Sequence, residues 1–247
     1  MKKNYIFFFF YLLTRPKLFL LFLKKVFPPI YIQFEWLKKY NVKTFIDIGA
    51  NEGKVSSVIH TLFPSATIYA FEPLPTEFNI LKKTLSSPHI ILNNIALSDS
   101  VGNAVFYENN LGPYSSLLKV SKAGEEFQPL IHDFKEITVD QTTLDEYFKD
   151  INLEGIVVMK MDAQGVEHLI LKGAEKTLKK VDIIHVEIMF SSFYENQCLF
   201  SDLHNILSKE GFEYVGSAKD SEFYPSFVPS INENSIFINK KCKKFYD

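Results

Sequence analysis

FIDIGANEGKVS, residues Phe45 to Ser56, decides how this chain is read. An apolar run carries one carboxylate, Asp47, then turns on Gly49 and Gly53 and passes directly into a helical pattern. Strand, glycine turn and helix in that order form a receiving loop for a ligand. The dinucleotide fingerprint G-x-G-x-x-G needs a middle glycine so that backbone can approach a pyrophosphate, and Asn51 stands there with Glu52 beside it. The phosphate loop G-x-x-x-x-G-K-[ST] fails as well. Gly53-Lys54 is present, but only three residues separate the glycines, and Val55 displaces Ser56 from Lys54.

Charge points to a different ligand. Two unit charges about 4 Å apart interact by roughly 4 kcal/mol at an effective dielectric of about 20. On that scale Asp47 and Glu52 disfavour a diphosphate and favour a cation. S-adenosylmethionine carries a sulfonium and an α-ammonium and no phosphate, so the expected cofactor contacts are Asp47, Gly49, Asn51 and Gly53. Glu72 ends the next apolar run 23 residues beyond Gly49, near the ~20-residue spacing at which an acid commonly binds ribose hydroxyls. Ala96 and Leu97, opening ALSDS, are expected to flank an adenine ring.

From Thr44 onward short apolar runs alternate with helical stretches, the pattern of a mostly parallel sheet with crossover helices. Strands are predicted at Thr44–Ile48, Thr67–Phe71, Ile90–Asn94, Val157–Met161, Ile183–Ile188, Tyr214–Ser217 and Ser235–Asn239. Helices are predicted at Gly53–Phe63, Thr76–Leu85, Val166–Leu178 and Phe200–Lys209. Between residues 102 and 147 the alternation breaks into an insertion of short strands and loops. Ligands of open α/β sheets sit beyond the carboxyl ends of the strands. Those ends carry Asp47, Glu72, Asp162 and Glu187, four carboxylates that need cationic or polar partners if they converge.

The chain has 247 residues, 47% of them hydrophobic, enough for one globular domain with a small appendage. Its two cysteines, Cys198 and Cys242, form no C-x-x-C and have no histidine partner at zinc-ligand spacing, which fits a reducing, cytoplasmic setting. The net charge of -2 conceals an asymmetry. Residues 1–43 hold nine Lys/Arg against one acid and 13 of the 37 aromatic residues, while the remainder is acidic and ill suited to nucleic acid. The apolar run Tyr5–Leu13 is too short to span a bilayer, and Arg15-Pro16-Lys17 separates it from the next apolar run, Leu18–Leu23. Lys2-Lys3 and the adjoining YIFFFFYLL imitate a signal peptide, but the run leads to no small-residue cleavage site. Two readings stand for this extension: peripheral membrane contact through residues 1–30, at the inner face, or a helical cap packed on the domain.

Taken in order, FIDIGANEG (45–53), AFEP (70–73), NIALSD (94–99), SSL (115–117), TLD (143–145), KMDAQGVE (160–167), LKGA (171–174) and VE (186–187) resemble the FkbM family of S-adenosylmethionine-dependent methyltransferases. The resemblance spans about residues 44–190. It implies a Rossmann-like class I methyltransferase domain over 44–247, with seven mostly parallel strands, helices on both faces and the final strand antiparallel. Residues 1–43 remain a helical extension. It also implies O-methylation of hydroxyls on sugars, glycans, glycolipid precursors or similar metabolites.

Methyl transfer to oxygen requires alignment and a group to take the hydroxyl proton. Lys160 and Asp162 share one face of a strand. Asp162 is the expected proton acceptor, Lys160 its anchor, and Glu187 a third catalytic group near the acceptor. The expected acceptor contacts are Ser115, Ser116, Gln164 and His168. His185, in mid-strand, reads as a core histidine. No metal ligands are assigned, because no histidine-carboxylate set has ligand spacing; a divalent cation is compatible with Asp162 and Glu187 but not implied. The competing readings are a non-catalytic, membrane-associated S-adenosylmethionine-binding module and, against the missing glycine, a nicotinamide-dependent oxidoreductase.

Overall fold

The computed structural model describes residues 28–109, 114–127, 134–218 and 232–245. Most of the segment read as a membrane contact, residues 1–27, lies outside the described residues. Among the described residues no helix is long and apolar enough to cross a membrane.

Ten strands occur in chain order: β1 Val42–Ile48, β2 Thr67–Phe71, β3 Ile90–Asn93, β4 Ala96–Leu97, β5 Gly102–Asn109, β6 Phe134–Thr142, β7 Ile156–Met161, β8 Ile183–Met189, β9 Phe212–Ser217 and β10 Asn232–Asn239. The helices are α1 Pro28–Glu35, α2 Lys54–Leu62, α3 Pro75–Thr84, α4 Lys122–Phe127, α5 Leu144–Tyr147, α6 Glu167–Lys172 and α7 Phe200–Lys209. Seven strands make one sheet in the order β3-β2-β1-β7-β8-β10-β9. All neighbours are parallel except β10, which runs antiparallel to both β8 and β9. This is the expected Rossmann-like architecture with its reversed last strand. The order turns around between β1 and β7, so the carboxyl ends of those two strands open the crevice.

Burial on both faces explains the nearly continuous apolar runs. On one face Ile46, Met159, Met161, Ile184, Val186 and Phe237 pack with Ile170 and Leu171 of α6 and Leu203 and Leu207 of α7. On the other, Phe45, Val158, Ile183 and Ile238 meet Val58 and Ile59 of α2 and Tyr31 and Phe34 of α1. His185 is buried on this second face, with its ring 4.6 Å from that of Phe34. Burial lowers its pKa to about 3, so it is a neutral core side chain, as expected.

Two elements differ from the sequence reading. The expected helix Val166–Leu178 ends at Lys172, with a 3-10 turn only at Leu178–Lys180. A Cβ on Gly173 would lie 2.2 Å from the Ser98 carbonyl oxygen, so the chain there is pressed against the loop after β4. Asp145 then takes the N–H groups of Lys176 and Thr177, drawing them out of the helical ladder. In the insertion, β5 and β6 are longer and more regular than expected: they pair antiparallel from Gly102–Gln141 to Asn109–Phe134, and β4 joins the free edge of β6.

Candidate active site

A cavity of about 280 Å³ lies at the carboxyl ends of β1, β2 and β7. The glycine turn forms its floor. Gly49 has φ 71° and Gly53 φ 84°, and Asn51 is also left-handed at φ 48°. Gly49 is sterically obligatory, since a Cβ there would sit 1.9 Å from the carbonyl oxygen of Asp162. The floor has no spare donors. Gly49 and Ala50 N–H both donate to Phe71 O, Asn51 N–H to Glu72 Oε2, Glu52 N–H to Asn51 Oδ1, and Gly53 N–H to Ala50 O. A phosphate-binding turn needs those five N–H groups free.

The charges flanking the turn are already compensated. Asp47 is fully buried and does not line the cavity: Ser56 Oγ donates to it at 2.6 Å, and Lys160 Nζ lies 3.4 Å away. Glu52 pairs with Lys54 at 2.8 Å. Asp47, expected as a direct cofactor contact, thus stands behind the lining, with its ion-pair partner Lys160 among the cavity wall residues. The turn thus presents no free main-chain N–H to a ligand. Lys160 does more than the expected anchoring of Asp162. It donates to Gly49 O at 2.8 Å and Ile48 O at 3.2 Å, and stands 3.8 Å from Asp162, so it anchors the turn before it anchors Asp162. Burial opposes its charge, but Asp47 and then Asp162 outweigh that and raise its pKa.

Glu72 stands on the cavity wall, 5% exposed. Its Oε2 accepts from Asn51 N–H and its Oε1 from Leu74 N–H, at 2.8 and 2.9 Å. A carboxylate offers about four acceptor positions, so each oxygen retains one for a hydroxyl donor. Burial pushes its pKa up to about 7. Asn94 fixes the strand end by donating to Glu72 O and Pro73 O, both at 2.9 Å. Ala96 and Leu97 line the same cavity, beside Phe71.

Opposite Glu72 lies the turn Asp162–Val166. The Asp162 side chain is 38% exposed and lines the cavity. Gln164 is left-handed at φ 57° and Gly165 at φ 98°. From that position Gln164 Nε2 donates to Asp162 Oδ1 at 2.7 Å and to Glu187 Oε2 at 3.1 Å. Asn232 Nδ2 donates to Glu187 Oε1 at 2.7 Å. The charge of Asp162, then burial, then Glu167 raise the Glu187 pKa well above its ordinary value, so Glu187 holds its proton more firmly than an ordinary glutamate. Glu167, buried at the start of α6, accepts from Ala163 N–H at 2.8 Å, and burial pushes it up to about 7. Among the described residues no group of three or more His, Cys, Asp or Glu is arranged to hold a metal ion.

Three expected contacts stand behind the wall. Ser115 lines the cavity, but Ser116 is fully buried and donates to the Gln164 carbonyl at 2.6 Å. His168 does not line the cavity; it is half-buried on α6, in the field of Asp99 and Asp202, with its pKa lowered by burial. Glu187 reaches the cavity only through Gln164. The sequence reading also missed residues. Phe106 and Leu117 from the insertion and Ile30 from α1 close the wall, and Tyr194 and Asn232 fasten the polar cluster. Phe106 belongs to the short apolar run Ala104–Tyr107 and Leu117 to the pair Leu117-Leu118, both inside the insertion. No local signal distinguishes Tyr194 or Asn232.

Known proteins are similar to this chain over part of its length. The 2-O-methyltransferase NoeI of Sinorhizobium fredii is 26% identical over 159 residues, covering 62% of this chain and 65% of that protein. Methyltransferase sdnD of Sordaria araneosa is 28% identical over 155 residues, covering 53% and 60%. The chain thus spans a little under two-thirds of the length of both relatives. Among solved structures, the precorrin-6y C5,15-methyltransferase of Geobacter metallireducens aligns with a TM-score of 0.44 at 13% identity, covering 83% of this chain and 86% of that one. Residues 47–214 match the family described as Methyltransferase FkbM domain, and the chain belongs to that family.

Proposed function

We propose that this protein is an S-adenosylmethionine-dependent O-methyltransferase whose acceptor is a hydroxyl of a sugar, glycan or glycolipid precursor. One observation carries the reading: the cavity opposes two carboxyls, Glu72 and Asp162, across a turn whose own N–H groups are all engaged. Such a cavity accepts hydroxyl donors and offers no nest to a phosphate. The donor set therefore fits the cofactor. Glu72 would take the ribose hydroxyls, Ala96, Leu97 and Phe71 would flank the base, and the Gly49–Asn51 turn would lie along the amino-acid part. When bound, the cofactor supplies an electrophilic methyl group on a sulfonium.

The chain's own residues supply the rest. Asp162 accepts the proton of the attacking hydroxyl, which also orients that oxygen toward the cavity. The Gln164 amide donates to both carboxyls, which limits the repulsion between Asp162 and Glu187. Phe106, Leu117, Val166 and Ile170 exclude water around the site. The 2-O-methyltransferase name of the relative from Sinorhizobium fredii supports oxygen as the acceptor atom. Ser115, Gln164 and the Asp162 carboxyl offer the donors and acceptors that a polyol ring requires. The basic, aromatic composition of residues 1–27 supports attachment at the inner face of a membrane, where glycolipid precursors are found. The test is incubation with the cofactor and a panel of neutral and lipid-linked glycans, then mass spectrometry. A gain of one methylene per acceptor, matched by S-adenosylhomocysteine, is expected; S-adenosylhomocysteine that never forms with any hydroxyl acceptor would count against the reading.

A further inference from the structure

The Asp162–Val166 turn is fastened from two directions. Ser116 Oγ, from the insertion, donates to its Gln164 carbonyl at 2.6 Å and accepts from Leu118 N–H at 3.0 Å. Tyr194, in the segment after β8, is 1% exposed and donates from its hydroxyl to Gln164 Oε1 at 2.8 Å. The ring of Tyr194 lies on Gly165, where a Cβ would come 3.0 Å from Cδ2. Tyr194 is itself held to the insertion by the bridge to Val120; the Tyr114 carbonyl, 3.2 Å from the hydroxyl, is the longer alternative acceptor for the single phenol proton.

The Gln164 amide has one orientation that suits these neighbours. Its oxygen faces the phenol, and its NH₂ faces Asp162 and Glu187. Turned over, the oxygen would meet two carboxyl oxygens. We propose that Tyr194 is a positioning residue for methyl transfer: acting through the Gln164 amide, its hydroxyl holds the Asp162 and Glu187 carboxyls in fixed relation at the cavity wall. The proposal rests on the reading of Asp162 as proton acceptor. The groups that face the pair are Lys160 on β7, Glu167 on α6, Asn232 on β10, and Gln164 and Tyr194 themselves. Of these groups only the amide donates to both carboxyls, which also contact each other, and only the phenol donates to the amide. With the amide released, Glu187 keeps Asn232 but loses its second donor, while Asp162 and Glu167 still oppose its ionisation.

The experiment compares wild type, Tyr194→Phe, Gln164→Met and the double variant by carbon-detected NMR titration of the Glu187 carboxyl in cofactor-free protein, alongside kcat and KM. Both single variants should move the Glu187 midpoint upward, and the double variant should move it no further than Gln164→Met alone, since the two residues act in series. Tyr194→Phe should lower kcat about tenfold with KM for the acceptor nearly unchanged, as expected when only alignment is lost. A Glu187 midpoint in Tyr194→Phe that coincides with wild type, or additive shifts in the double variant, would overturn the relay. Should Tyr194→Phe not fold, an unmoved midpoint in Gln164→Met overturns it equally. The titration requires no acceptor, so a wild-type protein without methyl transfer refutes the enzymatic reading separately.

Discussion

Glu72 shows how a single side chain couples recognition to pH. Its carboxyl is pushed up to about 7 by burial while two main-chain N–H groups hold it in place. Ribose hydroxyls donating to it favour the ionised form, so cofactor binding should release a proton. Affinity is then expected to rise as pH increases through about 7 and level off above it, measurable by calorimetry in two buffers of different ionisation enthalpy. Glu72→Gln should weaken the cofactor about 10- to 100-fold, the scale of hydrogen bonds to a charged group, and should flatten that pH dependence. Asp162→Asn should behave oppositely: cofactor affinity within a few-fold of wild type, and turnover reduced about 100-fold or more, as for loss of a general base. The roles of Glu72 and Asp162 could be framed from sequence because both stand at strand ends in a recognisable order. The inward pairing of Asp47 was not legible, since nothing local says that a lysine more than one hundred residues away will lie 3.4 Å from it.

At the scale of elements, the sequence pieces shared with the FkbM family separate into two physical groups. FIDIGANEG, AFEP and KMDAQGVE build the cavity. TLD and LKGA, with the end of NIALSD, build a fastening behind it. Thr143 caps α5 by accepting from Glu146 N–H, and Asp145 accepts from Lys176 N–H, Thr177 N–H and Thr177 Oγ1. Gly173 lets the chain press on Ser98, and Lys172 pairs with Asp99 at 2.7 Å. Asp145→Ala should therefore lower stability by about 2 kcal/mol, a fall of roughly 4–8 °C in Tm, while leaving cofactor affinity nearly intact. A differential scan with and without cofactor checks both halves. The strands were legible because β1, β2, β7 and β8 are covered on both faces and read as unbroken apolar runs. The early end of α6 was missed because the apolar pattern resumes at Ala174 and Leu178, although its C-cap Gly173 is a local stop signal that the contacts with Asp145 and Ser98 reinforce.

Across the whole molecule, two buried carboxyls set the response of the cofactor-free protein to pH. Glu72 and Glu167 both have pKa values raised to about 7. In the unfolded chain they titrate near the ordinary glutamate value of about 4.3. Between those values these two carboxyls bind more protons in the folded state, so their contribution is greatest at the acid side of this window and is lost as pH rises through about 7, while neutral His185 opposes them below about 6.5. Chemical denaturation of cofactor-free protein should show that loss, and Glu167→Gln should reduce it. The parallel order of the sheet and its reversed last strand came from pattern and family resemblance, whereas the convergence of the insertion, the segment around Tyr194 and the Gln164 turn is a tertiary event without a sequence signature. The central claim concerns what the crevice admits. Isothermal titration of the 247-residue chain at pH 8 with S-adenosylhomocysteine, NAD and ATP tests it most directly. Saturable binding of the sulfur nucleoside with no heat from either polyphosphate is the expected result; tight binding of NAD or ATP and none of S-adenosylhomocysteine would contradict it.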